Sequence, residues 1–497
     1  MTVVIDTVQR TGVAAPDGAG ARPSPRPGGS PGLYKKREPI HPKLVHGRYR
    51  LIKWALLILT LGIYYVVPWL RWDRPGALPD QAVMVDFSHG RFYFFFIQLW
   101  AEEVYYVTGL MVLGALALFL VSSLFGRLWC GYACPQTVWT DLYIAVERLF
   151  EGDRNARLRL DKAPWSFDKA WRKLGKHAAW VAIAAATGGA WVFYFGDAPT
   201  LWRGLWRGEA PATAYVSVVL LTFTTYWLAG WMREQVCTFM CPWPRIQGAM
   251  LDAHSLQVTY RYDRGEPRGA HKKGADWTGR GDCVDCKACV VACPMGIDIR
   301  DGLQLECINC GLCIDACDEI MGKVGRPLAL IAYDTDAAVA ARARGERPVY
   351  RLLRGRTAYY GAALVLVSAL MTWGLVTRPT LNLEAQHDRN PVFVRMKDGS
   401  IRNGYTLKLS NRGIRPAVYE VSYAGPAGAR VSAVGLQHGG ADSFLVEVQP
   451  SKVRTLRVFA TAPAGAPEAT DASFRVRDLA NGEQRAASTV FLAEAGS

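Results

Sequence analysis

Twice between Cys283 and Cys317 the chain repeats one ligand spacing. It reads Cys283-Val-Asp-Cys286-Lys-Ala-Cys289-Val-Val-Ala-Cys293-Pro294 and then Cys307-Ile-Asn-Cys310-Gly-Leu-Cys313-Ile-Asp-Ala-Cys317. Each half is C-x2-C-x2-C-x3-C. Three close cysteines reach three irons of one [4Fe–4S] cube, and the displaced fourth ligates the neighbouring cube. Cys283, Cys286, Cys289 and Cys317 are therefore expected on one cluster, and Cys307, Cys310, Cys313 and Cys293 on the other. Zinc sites usually pair C-x2-C with a distant second pair and need no third close cysteine. A disulfide framework is the other alternative. All 12 Cys fall between positions 130 and 317 in regular ligand spacings, which favours reduced thiolates on metal.

The chain of 497 residues is long enough for several domains. It is 50% hydrophobic and holds 17 Trp, which points to a membrane class. The formal charge of +15 comes from basic residues that flank apolar segments and form no DNA-reading motif. The expected partner of that charge is a membrane surface, with no nucleic acid.

Five apolar stretches are expected to cross the membrane: 51–70, 104–125, 178–195, 214–231 and 358–376. Lys35, Lys36, Arg37, Arg48, Arg50 and Lys53 put the N-terminus on the cytoplasmic side. Arg127, the basic loop around Lys169–Lys176, Arg233 and the Arg342–Arg356 run extend that pattern. The cysteine-rich section is thus cytoplasmic. After five spans the C-terminal section lies outside, in the periplasm of a Gram-negative cell. Glu102 and Glu103 follow an aromatic stretch, Phe92–Trp100. An interfacial position wetted by headgroups is favoured over an intramembrane ion port.

The expected divisions are an N-terminal disordered tail, 1–34, with no signal-peptide pattern, and a transmembrane region, 35–257. A dicluster ferredoxin-like domain, 258–340, a fifth membrane helix, 358–376, and a β domain, 380–497, follow. In that last part Tyr405–Leu409, Ser443–Val448 and Leu456–Phe459 alternate apolar and polar residues. Six or seven short strands punctuated by Gly, Pro and Asn predict a small sandwich. The fold class is a multi-domain membrane protein, five helices with an inserted 2[4Fe–4S] domain and a terminal all-β sandwich.

Two spans followed by C-x3-C-P occur twice, as Cys130-Gly-Tyr-Ala-Cys134-Pro135 and Cys237-Thr-Phe-Met-Cys241-Pro242. A helical motif would put both sulfurs of a pair on one side. Brought together by pseudo-symmetry, the pairs would make a four-thiolate site for Cu(I), zinc or an iron–sulfur cluster. The alternative is four buried cysteines acting as small hydrophobes. The duplication beside the ferredoxin run favours a redox or metal role. His89 and His254 are weak ligand candidates. Arg245 and the Arg264-Gly-Glu-Pro-Arg268 turn are expected at the surface or in positioning roles.

Several stretches carry a family resemblance. They are Trp129-Cys-Gly-Tyr-Ala-Cys-Pro-Gln-Thr-Val-Trp-Thr-Asp141, Glu234-Gln-Val-Cys-Thr-Phe-Met-Cys-Pro-Trp-Pro-Arg-Ile-Gln247, Arg264–Gly269, the dicluster run, and the tail from Cys317 through Gly325-Arg-Pro327 to Tyr333. Over roughly residues 34–497 the chain resembles the FixG/RdxA/CcoG family, accessory proteins for assembly of cbb-type haem–copper oxidases. Asp318 departs from the general ferredoxin pattern, in which Pro often follows the last cysteine. The resemblance implies an immunoglobulin-like C-terminal domain and a membrane cupric reductase that makes Cu(I) for the oxidase. It implies electrons from a cytoplasmic donor, and copper donors, acceptors and oxidase assembly factors as partners. Copper is expected at or near Cys130, Cys134, Cys237 and Cys241. Two other functions fit the same residues: a quinol-linked membrane electron-transfer ferredoxin, and a non-catalytic oxidase assembly factor.

Overall fold

The computed structural model describes residues 39–493 apart from 75–77, 273, 275, 414 and 437–442. The expected N-terminal tail lies outside the described residues. Five helices are long and apolar enough to cross a membrane: Arg48–Trp69, Ala101–Phe125, Phe167–Phe195, Ala212–Met232 and Gly355–Val376.

The third of these starts well before the expected 178. Its N-terminal turns are basic, so hydropathy alone misses them. The Lys169 amide donates to the Ser166 hydroxyl at 3.2 Å and fixes the start. The fourth span ends in π-helical turns, Tyr226–Met232 and Val236–Met240, and the second of these carries Cys237. Such turns gather at functional sites.

Between the first two spans β1 (Val83–Asp86), β2 (Arg91–Phe94) and β3 (Ile97–Trp100) form a small sheet in that order. Glu102 is exposed, whereas Glu103 is buried and accepts the Trp100 amide at 3.1 Å. A carboxylate facing the free amides of a helix start is stabilised there without headgroup water.

The Pro135–Glu151 helix is held by buried ion pairs. Glu147 meets Arg157 at 2.6 Å and Arg233 at 2.5 Å, and Glu151 meets Lys176 at 2.9 Å and Lys173 at 3.0 Å. These pairs tie the helix to the third and fourth spans. Removing one partner of a buried pair costs about 3–5 kcal/mol, because the other charge is left uncompensated.

The cysteine-rich section has β4 (Gln257–Tyr260) antiparallel to β5 (Ile331–Asp334), and two helices, Ala288–Ala292 and Leu312–Lys323. Val258, Tyr260, Ile299, Ile314, Met321, Leu330 and Ile331 form its core together with Cys283, Cys289 and Cys317.

The C-terminal unit is a two-sheet β-sandwich. Its strands are β6 (Leu381–His387), β7 (Val394–Arg395), β8 (Ile401–Asn411), β9 (Ala417–Ala424), β10 (Arg430–Ala433), β11 (Ser443–Val448), β12 (Lys452–Ala462), β13 (Ala469–Asp478) and β14 (Gln484–Leu492). One sheet runs β10-β12-β8-β6 with β7 on β8, and the other β11-β9-β13-β14. Tyr405, Leu407 and Leu409 of β8 point inward at the strand period of two and meet Phe474, Val476 and Phe491 in one core. Among the described residues nine strands replace the six or seven expected. β7 and β10 are too short to show an alternating pattern, and pairing with β8 and β12 defines them.

Candidate iron–sulfur and thiolate site

The two cysteine runs fold into matched turns. Asp285 and Asn309, each just before the second cysteine of its run, have φ of 53°. Lys287 and Gly311, each just after it, have φ of 58° and 72°. Non-glycine residues rarely adopt this left-handed region, and three of these four are not glycine. Left-handed residues on both sides of the second cysteine bend each turn tightly around it.

Cys317 sits in the electrostatic neighbourhood of Cys289, Cys283 and Cys286. Cys293 sits in that of Cys310 and Cys307. Cys313 faces Cys310, Cys307 and Cys293 first, then Cys289. One cavity is lined by Cys289, Cys293, Cys307, Cys310 and Cys313 with Ile297 and Ile299. The fourth cysteine of each run thus lies among the first three of the other.

Burial pushes the Cys289, Cys293 and Cys317 thiols up to about 12 and Cys307 up to about 11. Thiols in such surroundings ionise at neutral pH only when a cation compensates them. An all-sulfur donor set at this spacing, buried or half-buried except for exposed Cys286, fits a [4Fe–4S] core in each group, which supplies one-electron chemistry when bound.

The structure also gathers the four C-x3-C-P cysteines. Cys237 is influenced by Cys134, Cys130 and Cys241, and Cys130 by Cys134 and Cys241. Burial raises both Cys130 and Cys237 to about 12. All four are half-buried. The motif is not a continuous helix. Cys130 lies in a short helix, Leu128–Tyr132, whereas Cys134 is extended and caps the next helix, in which Pro135 is the first residue. Cys241 is likewise extended ahead of Pro242. Proline excludes the helical conformation from the residue before it, so each second cysteine sits at a break.

Among the described residues, no three His, Cys, Asp or Glu side chains converge on a position for one metal ion. The four cysteines are therefore neighbours and not a preformed single-ion cage.

Residues that the sequence did not single out hold this site. The Cys130 thiol donates to the Gln247 side-chain carbonyl at 3.0 Å, and the Gln247 amide donates to Ser122 at 3.2 Å. A Cβ on Gly131 would lie 2.6 Å from the Ile308 carbonyl oxygen and 3.1 Å from the Cys310 Cα. The Tyr132 hydroxyl donates to the Cys310 carbonyl at 3.0 Å. The small residue inside Cys-Gly-Tyr-Ala-Cys was the one local sign of so close an approach.

The weaker candidates lie elsewhere. His89 is exposed and pairs with Asp86 at 2.7 Å. The His254 amide donates to Asp252 at 2.8 Å, within a turn. Arg245 is exposed. Arg264 pairs with Asp282 at 2.8 Å and donates to the Leu328 and Pro327 carbonyls at 2.9 and 2.7 Å, which makes it a positioning residue. Asp318 accepts the Ala329 amide at 2.7 Å, a bond that proline could not offer.

Family models match three parts of the chain. A 4Fe-4S dicluster domain matches residues 232–336, a 4Fe-4S binding domain matches 107–152, and the IG-like fold at the C-terminal of FixG matches 371–494. The nitrogen fixation protein FixG of Rhizobium meliloti is 50% identical over 461 residues, 87% of this chain and 88% of that one. Protein RdxA of Cereibacter sphaeroides is 48% identical over 443 residues, 88% of this chain and 92% of that one. Protein RdxB of the same organism is 48% identical over 467 residues, 92% and 97% of the two chains. A crystal structure of a FixG-related protein from Vibrio parahaemolyticus covers 24% of this chain and 99% of its own. Its identity is 21% and its TM-score 0.20, too low to bear on the fold.

Proposed function

Because the chain belongs to the FixG/RdxA family and itself carries two 4Fe-4S domain matches and five helices long and apolar enough to cross a membrane, we propose that it is a membrane-anchored cupric reductase. It takes single electrons from a cytoplasmic donor and converts Cu(II) to Cu(I) for assembly of a cbb-type cytochrome oxidase. One observation carries this reading: four half-buried cysteines from the two C-x3-C-P copies gather beside the Cys307–Cys313 turn. Cys283, Cys286, Cys289 and Cys317 hold one cluster in it, and Cys307, Cys310, Cys313 and Cys293 the other.

Copper is the substrate, and Cys130, Cys134, Cys237 and Cys241 line the place where it is met. One electron converts Cu(II) to Cu(I), and no other bond need change. Soft thiolates favour the reduced ion. In this reading the protein sits in a bacterial inner membrane, with its N-terminus and ferredoxin-like domain, about 258–340, in the cytoplasm and its β domain, about 380–497, in the periplasm. Oxidase assembly factors and copper acceptors are its partners.

The test is anaerobic Cu(II) reduction by purified, chemically prereduced protein, read with a Cu(I) chelator. Combined change of the four cysteines to Ser should abolish Cu(II) reduction while iron content and chemical reducibility persist. Parental rates in such an intact variant would remove these cysteines from the copper site. Turnover of quinol and not of Cu(II) would replace this function with the quinol-linked one.

A further inference from the structure

Arg127 follows the second span, Ala101–Phe125, just past its C-cap Gly126, and is 4% exposed. Its guanidinium donates to the backbone carbonyls of Leu305, of Cys307 at 3.4 Å and of Pro244 at 2.6 Å. One side chain therefore ties the end of a span to the first cysteine of the second ligand turn and to the segment after Cys241-Pro242. Among the described residues, its acceptors are all backbone carbonyls and no carboxylate accepts from it. Arginine stays charged in proteins, and burying its charge is costly unless negative charge lies close by. The groups that act on it are Cys130, Cys307 and Glu306.

The other ligand turn is different. Asp285, Cys286 and Lys287 are exposed there. Its arginine, Arg300, is neutralised by Asp285 at 2.5 Å and Asp298 at 2.6 Å.

We propose that Arg127 is a positioning residue that seats the Cys307–Cys313 turn against the Cys130–Cys134 segment. Its charge, which no carboxylate accepts from directly among the described residues, stabilises the reduced form of the group held by Cys307, Cys310, Cys313 and Cys293, and leaves the Cys283 set unaffected. The inference rests on the reading of these cysteines as redox ligands. Gly131 and Tyr132, on the Cys307–Cys310 backbone, make the seating close enough for the Cys307 set to be the redox neighbour of the membrane-side cysteines. Reduction adds one electron and so one negative charge. That electron comes from the chemical reductant of the titration below, and no bond forms or breaks. A nearby fixed cation raises the reduction potential of such a site, because net charge is one of its determinants.

The experiment is a paramagnetic-resonance redox titration of the full-length holoprotein in detergent, without copper. Arg127→Gln and Arg127→Lys are compared with the parent, and the two signals are assigned with Cys286→Ser and Cys310→Ser. Arg127→Gln should lower the midpoint of the Cys307-set signal and leave the other in place. Arg127→Lys, which keeps the charge, should hold both midpoints near the parental values. Equal shifts of both signals, no shift in an iron-replete Arg127→Gln protein, or an Arg127→Lys shift as large as that of Arg127→Gln would overturn the proposal.

If Arg127→Gln loses iron, the parent still decides the seating. An aqueous paramagnetic relaxing agent should act first on the signal of the set that includes exposed Cys286. Earlier relaxation of the Cys307 set would overturn it. Copper takes no part in these measurements, so loss of the cupric-reductase reading would leave their outcome intact.

Discussion

The carboxylate of Asp315 accepts the backbone amide of Arg50 at 2.7 Å, and that of Tyr49 at 3.2 Å. Asp315 lies between Cys313 and Cys317 on the Leu312–Lys323 helix, and Arg50 is in the first turn of the first membrane helix. The ligand helix thus caps a membrane helix from a distance in sequence. A Cβ on Gly47 would fall 2.4 Å from the same carboxyl, so glycine makes room for the cap.

Asp315→Ala should cost about 1–2 kcal/mol, the usual penalty for losing such a cap, since two helix-start amides lose their acceptor. Thermal bleaching of the iron–sulfur absorbance would read it as a lower midpoint temperature at unchanged initial iron content. An unchanged midpoint would mean that the cap holds nothing.

The exchange of fourth ligands makes a prediction of its own. Cys293→Ala should damage the cluster held by Cys307, Cys310 and Cys313 first, because Cys293 lies among those thiols. Paramagnetic resonance would distinguish the two. Loss confined to the Cys283, Cys286 and Cys289 signal would reverse the assignment.

Orientation follows from charge. Reporter fusions after Arg172 and after Lys323 should read cytoplasmic, and fusions after Arg203 and after Ser497 external. A cytoplasmic C-terminus would mean that one of the five apolar helices does not cross.

Phe474 is fully buried in the sandwich, with ring contacts to Tyr405 at 5.1 Å and Tyr423 at 5.0 Å. Phe474→Ala should destabilise this domain by roughly 3–5 kcal/mol through the lost contacts and the cavity left behind. Limited proteolysis of the full chain should cut within 380–497 sooner, while iron content stays at the parental level. Loss of iron in this variant would show that iron retention depends on the fold of the β-sandwich.

Some features of this protein were legible because they are local repetitions. The ligand spacing, the five apolar stretches, the β alternation and the duplicated C-x3-C-P each need only a short window of sequence. The bounds of the third span were not legible, because its first turns are basic and a serine cap starts them. Nor was the break within each C-x3-C-P, although the proline that causes it stands in the motif.

By itself, then, the sequence determined where the candidate ligands fall: eight cysteines in ferredoxin spacing, four more in matched pairs, and apolar segments long enough to cross a membrane. Tertiary structure alone decided which of these meet. Tyr132 reaches Cys310 across 178 positions, and Arg50 meets Asp315 across 265. Arg127 is buried and donates both to the Cys307 carbonyl and to the Pro244 carbonyl, segments that no window of sequence joins. The physical reason is that spacing encodes ligands through local backbone geometry. Contact between distant segments depends on close backbone approach and on the pairing of buried polar groups, and these exist only once the chain has packed.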